Sequence, residues 1–206
     1  MSRRTATSPA PRTGLRERKK AQTRQAIRAA AYRLFAEQGY DATPVDQIAA
    51  AADVSPSTVF RYFPTKEDIV VTDEVDGELG QILRARPLDE SPLASLRLML
   101  HEVIERNMGY PAGRAVMIQR AELVRDVPAI RARRQESLSI AGRQISEVIA
   151  ERTGRQSNDL EIRVFTTAVF GALHETLLYW VENEREEDLL DLFERTLNTL
   201  SGGLHL

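Results

Sequence analysis

An all-α fold is predicted, and three observations predict it. Apolar residues recur three or four apart along most of the chain, and no stretch alternates as a half-buried strand does. Helix starts repeat one signature, a capping residue followed by proline, at Thr43-Pro44, Ser55-Pro56 and Ser91-Pro92. Helix breakers (Gly39, Pro87, Pro111, Gly113 and Gly154) separate the periodic stretches. These signals divide the chain into an arm over 1–14, a helical head over 15–65 and a helical body over 66–206. No internal repeat is apparent.

The arm carries Arg3, Arg4 and Arg12 among prolines, Gly14 and several Ser and Thr. It cannot bury a core, so it is expected to be disordered when free. Such a basic arm either reaches into a minor groove or is a solvated tail. The first long helix is expected over 15–38. Its start is densely basic (Arg16, Arg18, Lys19, Lys20, Arg24, Arg28), and Ile27, Ala30, Ala31, Leu34 and Phe35 form its core stripe. Gly39 is placed to end it with a left-handed backbone, and Tyr40 closes over the same core.

The stretch 43–63, TPVDQIAAAADVSPSTVFRYF, reads as two short helices around a tight turn. Thr43 is the expected cap of the first, with Asp46 completing something close to a capping box. Asp53 suits the left-handed turn that follows. Ser55 caps the second helix, where Val59, Phe60 and Phe63 are read as packing residues while Ser57, Thr58, Arg61 and Tyr62 lie between them. Two capped helices, the second presenting hydroxyls and an arginine, form the pattern of a helix-turn-helix that docks on DNA. The bland alternative is an ordinary helical hairpin.

A single linking helix is expected over 66–85, capped by Thr65 with Asp68 at its third position. Gly77 and Gly80 each cost about 1 kcal/mol relative to Ala inside a helix. They mark either a bend or a close helix contact. The body continues with helices over 93–108, 114–124, from Pro128 to near Gly154, over 158–184 with Asn158 and Glu161 as a capping box, and over 187–200. Trp180 belongs either to a subunit interface or to the core.

The run TRQAIRAAAYRLFAEQGYDATPVDQIAAAADVSPSTVFRYFPTKEDIV resembles the DNA-binding domain of the TetR (tetracycline-repressor) family of bacterial regulators. It covers the first third of the chain and departs from the family at Asp53, where glycine is common. The resemblance implies an N-terminal three-helix helix-turn-helix domain and a C-terminal helical domain that binds an effector and dimerises. The implied function is a ligand-responsive repressor that binds a palindromic double-stranded DNA operator as a homodimer. Positions matching Thr43, Tyr62 and Lys66 commonly hold backbone phosphates in the family. Ser57, Thr58 and Arg61 are the candidates for base edges or nearby phosphates.

Composition agrees with a DNA-binding head. Residues 1–66 hold twelve Lys or Arg against five Asp or Glu, and the remainder hold sixteen against twenty-five, so a head of +7 precedes a body of −9. No cysteine is present, which excludes disulfides and thiolate chemistry. No apolar run comes near the roughly 20 residues of a membrane helix, and the first residues lack the apolar core of a signal peptide. The expectation is a cytoplasmic protein with no membrane partner and no cofactor. Catalytic motifs are absent: His101-Glu102 is followed by Glu105 rather than the histidine of a zinc-protease helix, and no P-loop, G-x-G-x-x-G or G-x-S-x-G occurs. A helical enzyme and an architectural DNA-binding protein without an effector are the competing classes; an apolar cavity in the body would favour a sensor over the latter.

For such a sensor the helices that would enclose a cavity offer Leu100, Val103, Met117, Phe165, Val169 and Leu173, with Leu96, Met99 and Val124 beside them. Arg120 belongs to an arginine cluster with Arg114, Arg125, Arg131, Arg133 and Arg134. These arginines either line the mouth of a site for an anionic head or pair with acids such as Glu122, Asp126 and Glu136. The pieces RYFPTKEDIV, RPLDESPLASLR and WVEN are similar to a TetR subgroup described as binding acyl-CoA-like ligands. That similarity implies a small apolar or acyl-type effector, an acyl-coenzyme A among them. The dimer is expected from the last two long helices, 158–184 and 187–200, with recognition helices roughly 34–36 Å apart.

Overall fold

The computed structural model describes residues 14–72 and 76–204, so the arm, apart from Gly14, lies outside the described residues. The helices are α1 (Leu15–Gln38), α2 (Val45–Ala51), α3 (Pro56–Tyr62), α4 (Lys66–Val71), α5 (Asp76–Ala85), α6 (Pro92–Met108), α7 (Pro111–Asp126), α8 (Pro128–Thr153), α9 (Leu160–Glu182) and α10 (Leu189–Ser201). No strand occurs among the described residues. The chain separates into two compact units, Met1–Pro64 and Thr65–Leu206.

The first unit is a small core enclosed by α1–α3. Ile27, Ala31, Ile48, Val59 and Phe63 are essentially fully buried. Tyr40 lies 5.1 Å from the ring of Phe35, so the residue after the glycine turn closes the core as its apolar character requires. The guanidinium groups of Arg24 and Arg28 stand 5.3 and 5.7 Å from the centroid of Phe63, fastening α1 to the end of α3. The turn between α2 and α3 places Asp53 at φ +53°, a left-handed conformation that Asp tolerates. Ser55 then caps α3 by accepting the amide of Thr58 at 3.2 Å.

Thr43 departs from expectation. It does not cap α2; Pro44 occupies that position without a side-chain bond, and Asp46 completes no capping box. The Thr43 side chain is fully buried, donating its hydroxyl to the carbonyl of Gly39 at 2.7 Å and accepting from the side chain of Gln38 at 3.1 Å. Its function is to close the α1–α2 turn from inside.

In the second unit α4 opens with a complete capping box. Asp68 accepts the Thr65 amide at 3.0 Å, and Thr65 accepts the Asp68 amide at 3.2 Å. The single linking helix expected over 66–85 is two helices. α4 stops at Val71, where Thr72 turns extended (φ −76°, ψ 131°). The carbonyl of Val71 is taken by side chains from α7 and α8, which a short local sequence window does not contain.

The remaining helices stack through two apolar clusters. One joins Leu83, Leu96, Met99, Ile145, Ile149, Ile162, Val169 and Leu197. The other joins Ile104, Ala121, Trp180, Leu189, Leu192 and Phe193. Trp180 is therefore a core residue; its indole donates to the carbonyl of Glu187 at 3.0 Å and fixes the α9–α10 corner. Ser146 and Thr166 share a buried hydroxyl bond of 2.8 Å that ties α8 to α9. At the α6–α7 corner Gly113 lies inside the first turn of α7 rather than before it. A side chain there would meet the carbonyl oxygen of Asn107 at 1.9 Å, so only glycine fits. The capping box expected from Asn158 is also absent: Asp159 is the N-cap of α9, and its carboxylate accepts the Gln156 amide instead.

Candidate functional site

Two places carry chemistry, one in each unit. The first is the outer face of α3. Val59 and Phe63 anchor the helix in the core, which leaves the intervening positions outward. Ser57 and Arg61 are exposed, and Thr58 and Tyr62 are half-buried. The hydroxyls of Ser57 and Thr58 each lie 2.9 Å from the Ser55 hydroxyl, so the start of the helix presents a connected cluster of hydroxyls. Arg61 lies over the ring of Tyr62, 5.4 Å from its centroid, which holds the guanidinium against the helix surface. A helix presenting short hydroxyls and one rigid fork of donors suits phosphate oxygens and purine edges.

Phe60 corrects the sequence reading. Its apolar character predicts packing, yet it is 49% exposed beside Arg61. An aromatic left in water on a candidate recognition helix suits apolar contact with a base methyl group. The signal was available: Val59 and Phe63, four apart, already complete the buried stripe. Thr43, a candidate phosphate ligand, is fully buried and cannot offer its hydroxyl to a backbone phosphate. Lys66 opens α4 in the second unit and is half-buried.

The second place is an apolar cavity of about 180 Å³ inside the second unit. Leu100, Val103, Met117, Arg120, Val169 and Leu173 line it; Phe165 does not, and packs instead against the neighbouring apolar cluster. Three polar side chains, Arg120, Arg134 and His174, interrupt the apolar wall. Sequence reasoning missed His174 because a lone histidine on a helix carries no ligand signature. The cavity exceeds the roughly 150 Å³ that holds a benzene-sized guest but falls below the roughly 300 Å³ at which ordinary ligand pockets begin. A long chain would therefore have to part the surrounding helices as it enters.

The arginine cluster does not form one mouth. Arg125 pairs with Asp126 at 2.6 Å, and Arg131 donates to the carbonyls of Val124 and Arg125. Arg133 binds Asp68 at 2.7 Å and also Glu136. Among the cluster's members only Arg120 and Arg134 line the cavity. No group of three or more metal-ligating side chains occurs among the described residues.

His174 is buried, and its Nδ1 has no hydrogen-bond partner among the described residues. Burial, and secondarily the charge of Arg134, holds the imidazole below its ordinary value of 6.5. The unfolded chain therefore takes up this proton first. The stability contributed by neutral His174 is complete above the unfolded value and declines as pH falls below it. In urea titrations between pH 7.5 and 5.5, the unfolding midpoint is expected to drop more for the wild type than for His174→Gln. Equal slopes would show that His174 does not contribute this linkage.

Residues 27–71 match the bacterial regulatory proteins of the tetR family, and residues 92–205 match the MftR C-terminal domain. The fatty acid metabolism regulator protein of Bacillus subtilis is 28% identical over 180 residues, 85% of this chain and 92% of that one. The transcriptional regulator TcmR of Streptomyces glaucescens is 35% identical over 169 residues, 78% of this chain and 73% of its own. Among solved structures, FadR of Thermus thermophilus, a TetR-family repressor in complex with lauroyl-CoA, superposes with a TM-score of 0.57 at 25% identity. The match covers 89% of this chain and 95% of that one.

Proposed function

The chain belongs to the TetR family of bacterial regulatory proteins, and we propose that it is a cytoplasmic repressor that binds a palindromic operator as a homodimer and releases it on loading an acyl-coenzyme A. The observation that carries the effector half is the apolar cavity with arginines in its wall. An architectural protein without an effector has no use for such a cavity. The relatives supply the acyl class: one is a regulator of fatty acid metabolism and another was solved with lauroyl-CoA. Met117 and Met99, both in the wall, have the adaptable side chains that a flexible chain requires. In this reading 15–65 is the DNA-binding domain and 66–206 the effector-binding and dimerisation domain.

Titrating lauroyl-, palmitoyl- and acetyl-CoA against the protein–operator complex tests this reading. Long-chain thioesters are expected to release the operator at micromolar concentration, and acetyl-CoA, which brings almost no apolar surface, is not. Release by none of them would remove the assignment.

The dimer reading rests on α9. Within its 23 residues one 18-residue stretch is apolar enough, by length and composition only, to cross a membrane, contrary to the sequence expectation that no run comes near this. Its exposed side carries Glu161, Arg163 and Glu175 but also large apolar residues, and apolar surface left in water on a helix suits cover by a partner. Ile162, Val169 and Trp180 are covered within the unit, whereas Leu160, Val164 and Tyr179 are exposed. Gly142 of α8 and Gly171 of α9 line one groove of about 470 Å³ between these helices, and an added Cβ at either would meet nothing within 4 Å. Nothing within the subunit requires glycine at either position, whereas close approach of a second subunit's helix would. Of the two helices expected to form the interface, α10 buries Leu189, Leu192, Phe193 and Leu197 in its own subunit, so in this reading α9 carries most of the contact with α8 beside it.

A further inference from the structure

α4 is fastened at both ends by arginines, and the two ends are fastened differently. At its start Asp68, almost fully buried, uses one carboxylate oxygen to hold the Thr65 cap and the other to accept from Arg133 at 2.7 Å. At its end the carbonyl of Val71 accepts from Arg120 of α7 at 2.7 Å and from Arg134 of α8 at 3.5 Å. Val71 is 1% exposed, so water is a poor substitute for these donors. Arg133 does not line the apolar cavity; Arg120 and Arg134 both do. The same two side chains thus close the last turn of α4 and form the polar part of the cavity wall. Beside them stands His174, whose buried Nδ1 lacks a partner among the described residues.

We propose that Arg120 and Arg134 read an anionic oxygen at the head of the cavity's ligand, and that reading it draws them off the Val71 carbonyl and unfastens the last turn of α4. The proposal rests on the effector assignment above and adds how occupancy is converted into movement. A guanidinium binds a carboxylate or phosphate more strongly than a neutral carbonyl, so a charged head competes for both donors. Val71 is then left buried with fewer donors, which favours displacement of the helix end. The Asp68–Arg133 pair lies outside the cavity and keeps the first turn in place, so α4 swings about its start. The anionic oxygen can come from the carboxylate of a fatty acid or from a phosphate of coenzyme A. A neutral chain of equal length fills the cavity without triggering the swing, because a ligand shifts an equilibrium only through its preference between the two states.

The test uses the full-length protein, hydrogen exchange over 66–72, calorimetry and operator affinity. The double variant Arg120→Met, Arg134→Met is expected, without any ligand, to exchange faster at the end of α4 and to bind the operator at least tenfold more weakly. Arg114→Met, outside the cavity wall, controls for loss of charge. In the wild type, lauroyl-CoA or laurate is expected to reproduce the faster exchange while releasing the operator; which of the two succeeds identifies the source of the anion. Dodecanol, neutral and of equal chain length, is expected to bind without release. Unchanged exchange in the double variant would overturn the latch, as would release by dodecanol equal to that by the anionic probes. If calorimetry shows that no probe binds the wild type, the effector assignment fails instead, and the latch stands or falls on the double variant alone.

Discussion

Replacing Arg61 by alanine is expected to abolish sequence preference while leaving general affinity for DNA largely in place. Arg61 is exposed on α3, its guanidinium held over Tyr62, and its helix is anchored from behind by Val59 and Phe63. A pre-oriented planar fork in the major groove pairs with two acceptors of guanine at once. Losing such a contact is worth about 1–3 kcal/mol, roughly 5- to 150-fold in affinity for the cognate operator. Arg61→Lys keeps the charge but not the fork, so it should fail almost as badly on the operator. Lys66→Ala should behave differently, weakening binding about equally on all duplexes and reducing the salt dependence by about one counterion. The measurement is titration of each variant against an operator selected from random sequence and against scrambled DNA at two salt concentrations. Should Arg61→Ala lower affinity for both DNAs in equal proportion, Arg61 is a phosphate ligand and the specificity lies elsewhere on α3.

Val164→Glu is expected to yield a monomer at micromolar concentration and to lower operator affinity by two orders of magnitude or more. Val164 is 56% exposed in the middle of the open stripe on α9, between Leu160 and the groove containing Gly171. The substitution is harmless to the isolated subunit, since the side chain already faces water. In the dimer it would bury a carboxylate against apolar surface, with no arrangement for pairing it. Two heads bound to one operator gain from their linkage, which raises avidity by about 10²–10⁴ over a single head. Leu88→Glu serves as the control, because Leu88 is 75% exposed on the loop before α6 and lines neither the groove between α8 and α9 nor the apolar stripe of α9. Sedimentation reads the mass, and fluorescence anisotropy on the palindromic operator reads the affinity. A Val164→Glu protein that still sediments as a dimer would place the interface on another face.

The fold class and the boundaries of most helices were legible in the sequence. α1 occupies the expected residues, and Ser55, Thr65 and Ser91 cap α3, α4 and α6 as read. Gly154 ends α8 in the left-handed conformation, and Asp53 adopts the same region at the turn before α3. The face of α3 was also legible, apart from Phe60, because a seven-residue helix has one buried stripe and the remainder must point away from it. The cavity's apolar lining was legible as a group of residues but not as a shape. Phe165 carries the same apolar signal as Val169 and Leu173, and only packing decides that it faces the neighbouring cluster.

What the sequence by itself determined is most of what is settled within about four residues, namely turns, the spacing of apolar stripes and the caps at Ser55, Thr65 and Ser91, since those bonds join near neighbours along the chain; the caps expected at Thr43 and Asn158 are the exceptions. Tertiary structure alone decided the partners of long side chains and of surplus surface. Arg133 meets Asp68 across 65 positions, and Arg120 meets the carbonyl of Val71 across 49. No local pattern distinguishes these arginines from Arg125, which pairs with the next residue. The same reason hid the break between α4 and α5, whose last carbonyl is satisfied from α7 and α8. It also hid the open side of α9, because Leu160, Val164 and Tyr179 carry the same apolar signal as Ile162, Val169 and Trp180, and only the neighbouring helices decide which are covered.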